Sequence, residues 1–93
     1  MQATPMIPYT PDRLEAITRQ AMEAFEEGAP RVVLDLDILT RLDTDGVRGL
    51  ITLLRRSREV GGEVALKVTR PELIRSLAVT ALDRLFPVVG VAA

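Results

Sequence analysis

The chain has 93 residues, sets 12 Lys+Arg against 13 Asp+Glu, and contains neither histidine nor cysteine. Disulfide scaffolds, thiolate or histidine metal sites and histidine-based acid–base catalysis are therefore excluded. A net charge of −1 gives no electrostatic footprint for nucleic acid or an anionic membrane, and 47% hydrophobic residues suit one globular domain with a modest core.

Residues 1–10 read as an extended N-terminal segment and 11–93 as a single domain. Prolines interrupt Met6-Ile7-Pro8-Tyr9 too often for a central strand. The segment also lacks the basic and apolar regions of a secretory leader. No run approaches the 18 or so apolar residues that cross a bilayer, so the expectation is a cytoplasmic protein without membrane insertion. Thr10-Pro11-Asp12 then opens a helix: threonine can cap, proline suits the first helical position, and aspartate suits the positive end of the dipole. Leu14, Ile17, Ala21 and Phe25 share one face, and Gly28 with Pro30 ends the element.

Val32-Val33-Leu34-Asp35-Leu36 is a short apolar run rich in β-branched residues, as in a strand of a parallel or mixed sheet. After the turn-like Asp43-Thr44-Asp45-Gly46, a second helix shows Val47, Leu50, Ile51 and Leu54 at helical spacing. Arg55, Arg56 and Arg58 lie near its C-terminal end, where cations meet the negative end of the dipole, and Gly61-Gly62 stops it. Glu63 to Val68 alternates, with Val64, Leu66 and Val68 on one side, and predicts a half-buried strand. Thr69-Arg70-Pro71-Glu72 has capping-box spacing and opens a third helix with Leu73, Ile74, Leu77 and Ala81 as its buried face. Leu85 to Val89 is expected to form a last short strand. The order of elements describes an α/β layer domain with crossover helices.

The stretch from Arg31 to Val88 resembles the STAS family. The residues that carry the resemblance are Val32 to Leu36, Leu42-Asp43-Thr44-Asp45-Gly46, Gly49-Leu50, Gly61-Gly62 and Leu82-Asp83-Arg84-Leu85-Phe86-Pro87-Val88. Family members read as an apolar strand ending Asp-Leu, an Asp-Ser-Ser-Gly loop, a helix closing in Gly-Gly, and a late Gly-Leu-Asp-x-Leu-Phe segment. The resemblance implies a small mixed sheet with helices packed on it, here lacking the usual N-terminal strands because only about ten residues precede the first helix. It implies no catalysis and no cofactor. The implied role is that of an anti-sigma factor antagonist: a partner switch that binds a serine/threonine kinase acting as anti-sigma factor. Thr44 then stands at the phosphoacceptor position, Asp45 where the second serine falls, and Ala81 where the late Gly-Leu pair has its glycine. Asp43, Thr44, Asp45, Gly46 and Arg48 become the partner-binding residues. A phosphate on Thr44 adds about −1.5 to −2 charges to such a contact.

Three further readings remain. Stand-alone STAS proteins also serve as subunits of ABC-type phospholipid transport systems, contacting the ATPase through an Asp-Thr-x-Gly loop. Asp35 and Asp37 resemble the strand-end Asp-x-Asp of haloacid dehalogenase-like phosphatases, although Ile38-Leu39 follows and Lys67 is the one lysine. Thr44 alone could be a helix cap, worth about 1 kcal/mol. Asp43-Thr44-Asp45-Gly46 is not an EF-hand, since Arg41 and Thr52 fall on ligand positions. Finally, a sheet without its first strands exposes an edge, so the edge is expected to be covered by a homodimer or by docking on a partner.

Overall fold

The computed structural model describes residues 4–90. Its elements in chain order are β1 (Met6–Pro8), a 3-10 turn (Pro11–Arg13), α1 (Leu14–Glu26), β2 (Arg31–Asp35), α2 (Thr44–Glu59), β3 (Glu63–Lys67), α3 (Pro71–Val79), α4 (Leu82–Leu85) and β4 (Val88–Val89). The four strands lie side by side in the order β1-β2-β3-β4, and every ladder is parallel rather than mixed.

Sequential parallel strands joined by crossovers of one hand carry their helices to the same side of the sheet. The core shows that one-sidedness. Val32, Leu34 and Leu36 from β2 and the residue after it meet Val64, Leu66 and Val68 from β3, in register Val32 with Val64 and Leu34 with Leu66. Onto this row pack Ile17 and Ala21 of α1, Leu50, Leu53 and Leu54 of α2, Leu73 and Leu77 of α3, and Leu82 and Phe86. Each fully buried leucine contributes about 1.5–3 kcal/mol of hydrophobic stabilisation. The reverse face carries Met6, Val33 and Ala65 in one row and Pro8, Asp35, Lys67 and Val89 in the next. Ala65 is buried there, so β3 is covered more fully than its alternation predicts.

The N-terminal segment differs from expectation in one respect: it supplies a strand. Val33 donates its N–H to Pro5 O and Tyr9 donates to Asp35 O, so residues 5, 7 and 9 turn their backbone toward β2. Met6 and Pro8 face outward, and Pro8 has no N–H to offer. Proline is therefore confined to the edge, as the sequence required. The same geometry leaves little for edge pairing: β1 is three residues with a missing donor, and β4 is two residues.

Helix starts also depart from the sequence reading. Thr10 occupies the cap position of the 3-10 turn, with Pro11 first inside it, but its side chain makes no cap bond. Thr69 does not cap α3: Arg70 holds that position in extended conformation before Pro71, because a residue preceding proline avoids the helical region. α3 ends at Val79, which leaves Ala81 exposed beyond it rather than on the buried face. Ala81 adopts φ 60, ψ 17, a left-handed turn into α4 that costs a residue with a Cβ about 1–2 kcal/mol. That turn explains why a glycine at this position would be preferred. Leu85 belongs to α4, so the final strand is shorter than expected.

Candidate functional site

The segment between β2 and α2 leaves the C-terminal edge of the sheet and delivers Asp43 to Gly46 at the start of the longest helix. Asp43 is the cap. Its backbone is extended, its Oδ1 accepts from Gly46 N–H at 2.9 Å, and its carbonyl accepts from Val47 N–H at 3.0 Å. The side chain thereby satisfies one of the orphan donors of the first turn, and the carbonyl accepts the first bond of the helix ladder. Thr44, read alone as a cap, is instead the first residue inside the helix.

That one-residue shift decides what its hydroxyl can do. Thr18, Thr52 and Thr80 donate to carbonyls four residues back, Leu14 O at 2.7 Å, Arg48 O at 3.0 Å and Ser76 O at 2.7 Å. At the first helical position there is no preceding helical turn to bond to. Thr44 is exposed, and among the described residues its hydroxyl has no hydrogen-bond partner. Asp45 is exposed beside it in the first turn, where the helix dipole favours an acid.

Gly46 is buried, and a Cβ there would lie 2.9 Å from Leu42 Cδ1, so the turn closes tightly on Leu42. Arg48 is exposed one turn beyond Thr44 and forms no ion pair among the described residues. Arg41, Leu42, Thr44, Val47, Arg48 and Thr80 surround a shallow hollow of about 610 Å³. It shares Leu42 and Thr80 with a second hollow of about 370 Å³ on α3, beside Val79, which is 81% exposed. The five sequence-predicted residues are thus brought together on one helix start, next to apolar surface supplied by a different helix.

Tyr9 was not anticipated. It is fully buried, and its hydroxyl donates to Gly46 O at 2.7 Å. Burial, reinforced by the charge of Asp43, pushes its phenol up to about 12. A sequence signal for it exists in Gly49, since a glycine inside a helix costs about 1 kcal/mol and needs a packing reason. A Cβ at Gly49 would sit 2.2 Å from the Tyr9 hydroxyl.

Asp35 and Asp37 are spent on structure. Asp35 Oδ1 accepts from Asp37 N–H at 3.0 Å. Asp37 accepts from Lys67 Nζ at 2.8 Å, Thr69 N–H at 2.9 Å and the Thr69 hydroxyl at 2.8 Å. Partial burial alone would raise the Asp37 carboxyl, but these donors outweigh it and hold the group well below the usual carboxylate range. Lys67, bonded to Asp37 with Asp35 at 3.8 Å, is raised in turn. Arg70 donates to the carbonyls of Asp37 and Leu39. Among the described residues no group of three or more His, Cys, Asp or Glu side chains is placed to hold a metal ion. Nor is any helix there long and apolar enough to cross a membrane.

A family model, the STAS domain, matches residues 12–91. This chain belongs to the STAS domain family. STAS domains are non-catalytic scaffolds, and the phosphatase reading of Asp35 and Asp37 falls with that assignment. Among solved structures the chain is similar to TM1081 of Thermotoga maritima, described as a candidate anti-sigma factor antagonist. The crystal structure of that protein is 17% identical, with TM-score 0.64 over 95% of this chain and 74% of that one. Its NMR structure is 16% identical, with TM-score 0.71 over 92% and 73%. At such identity the likeness is one of fold. No curated protein matches. STAS membership also bears on the N-terminus: where the family's opening strands were expected to be missing, β1 occupies the sheet edge alone.

Proposed function

We propose that this STAS domain is an anti-sigma factor antagonist-like partner switch. It binds a serine/threonine kinase anti-sigma factor through Asp43, Thr44, Asp45, Gly46 and Arg48, and phosphorylation of Thr44 releases it. The observation that carries this reading is the Thr44 hydroxyl, exposed at the first helical position without a partner among the described residues, while Thr18 and Thr52 inside helices and Thr80 at the end of α3 are back-bonded. A kinase needs such a hydroxyl. The phosphate would meet the N-terminal end of the α2 dipole, with Arg48 one turn on, so the fold would tolerate it. The partner surface would not, because like charge and added hydration oppose re-docking. Leu42, Val47 and Val79 supply apolar contact for the unmodified complex.

Incubation with the cognate kinase and ATP should add one phosphate by intact mass, and Thr44→Ala should abolish the gain. Thr44→Glu should weaken the complex at least 10-fold while Thr44→Ala retains it. Retention of full affinity by Thr44→Glu would reject the switch.

A second reading uses the same surface: a STAS subunit of an ABC-type phospholipid transport system, contacting its ATPase. Asp45 favours it, since an exposed carboxylate beside Thr44 already opposes a phosphate there. In that case wild type gains no mass, and Thr44→Ala itself weakens binding to the ATPase. Pairing of two copies through the sheet edge has less support, given Pro8 and the two-residue β4.

A further inference from the structure

We infer that Tyr9 is a positioning residue for the Asp43–Gly46 turn, its buried hydroxyl fixing the depth of the first turn of α2 and so the presentation of Thr44. The inference deepens the partner reading of that turn and rests on it for its functional consequence. Its physical basis stands separately.

Gly46 O is the acceptor for the Tyr9 hydroxyl at 2.7 Å, and Gly46 N–H is the donor to the Asp43 cap at 2.9 Å. One peptide unit on either side of Gly46 is therefore fixed from two directions, by the cap outside the helix and by a phenol beneath it. The phenol is itself held. Tyr9 N–H donates to Asp35 O at 3.0 Å, so the residue leaves β1 already paired with β2. Its ring is fully buried in the core cluster between the sheet and the helices. Gly49 completes the arrangement. It is the helix position facing the hydroxyl, and a Cβ there would meet the oxygen at 2.2 Å and Cζ at 3.3 Å. An alanine would push α2 off the tyrosine or break the bond.

The bond is also one the core could do without. Gly46 O is in the first turn and is placed to accept from Leu50 N–H along the helix, so loss of the phenol leaves no orphaned acceptor. Tyr9→Phe removes one oxygen and keeps the ring. A residue serving only to fill the core would be replaced by phenylalanine without local consequence. A positioning residue would not.

Amide exchange followed by NMR on the full chain separates the two. In Tyr9→Phe, exchange at Val47 and Leu50 should accelerate about 5-fold relative to Leu34 and Leu66, the effect of one lost hydrogen bond. Gly49→Ala should perturb the same amides more strongly, and adding Tyr9→Phe to it should restore part of the protection, because the clash is chiefly with the oxygen. In the wild type, the Tyr9 hydroxyl proton should exchange slowly and show a cross-peak to the Gly46–Val47 backbone, which tests the bond without any variant. Uniform acceleration across sheet and helix, full additivity of the two substitutions, or a rapidly exchanging hydroxyl proton would each overturn the inference. With the cognate kinase, Tyr9→Phe should be phosphorylated about 5-fold more slowly than wild type. If wild type takes no phosphate, the kinase reading fails while the exchange data still decide the role of Tyr9. An unchanged rate alongside the expected exchange pattern would reject the link from the turn to presentation of Thr44.

Discussion

Two polar regions follow β2 and β3 at the same edge of the sheet, and they are built oppositely. Around Asp37 every strong group is matched: one carboxylate takes Lys67 and both donors of Thr69, while Arg70 takes the carbonyls of Asp37 and Leu39. At Thr44 the helix start is capped by its neighbour, and the hydroxyl is left over. Both regions carry aspartates and threonines in short sequence motifs, so residue type alone does not distinguish them. Saturation of hydrogen bonding does. A matched cluster holds the chain together, whereas an unmatched exposed group is available to something else.

On that contrast, damage at Asp37 should be thermodynamic and damage at Thr44 functional. Asp37→Ala leaves Lys67 and Thr69 without their acceptor and should cost about 2 kcal/mol in urea unfolding, the scale for hydrogen bonds to a charged group. The acid limb of stability should depend on the same residue. Its folded pKa is depressed, so its contribution is present above the ordinary carboxylate value of about 4 and is lost as pH falls below it. In Asp37→Asn that acid-induced loss should be smaller. Asp43→Ala removes a cap and should cost about 1 kcal/mol. Thr44→Ala should change stability by no more than about 0.5 kcal/mol, while abolishing any phosphate gain. A Thr44→Ala cost comparable with that of Asp37→Ala would erase the distinction.

Tyr9 gives the alkaline counterpart. Its folded pKa is raised, so the stabilising neutral phenol is intact below about 10 and is lost as pH climbs toward about 12. An unfolding limb in that window should shrink in Tyr9→Phe.

Much of the scaffold was legible because its signals are periodic. The β-branched run at Val32 announced β2, and the spacing of Val47, Leu50 and Leu54 announced α2, although Leu53 and Ser57 are buried there too. What escaped was short or depended on partners distant in sequence. β1 is three residues that follow Pro5 and include Pro8, and α4 is four residues, too few for a period to register. Thr69 has the spacing of a capping box, but Asp37, 32 positions away, accepts from both its N–H and its hydroxyl, and Arg70 stands at the cap position instead. The Tyr9–Gly46 bond joins residues 37 positions apart. At the site itself, the motif located Thr44, and only the geometry separated the capping role of Asp43 from the free hydroxyl next to it.

The sequential order of the sheet has a consequence for how the molecule assembles. Each strand pairs only with its immediate predecessor and successor, in the pairs Met6 with Val33, Val32 with Val64, and Leu66 with Val88. No strand must be inserted between two others already in place. Each closure still spans a whole helix, which makes the steps slow in contact-order terms. A chain growing from its N-terminus can therefore add one strand–helix unit at a time onto a finished edge. β4 arrives last, and its loss would shorten the sheet without unpairing what came before.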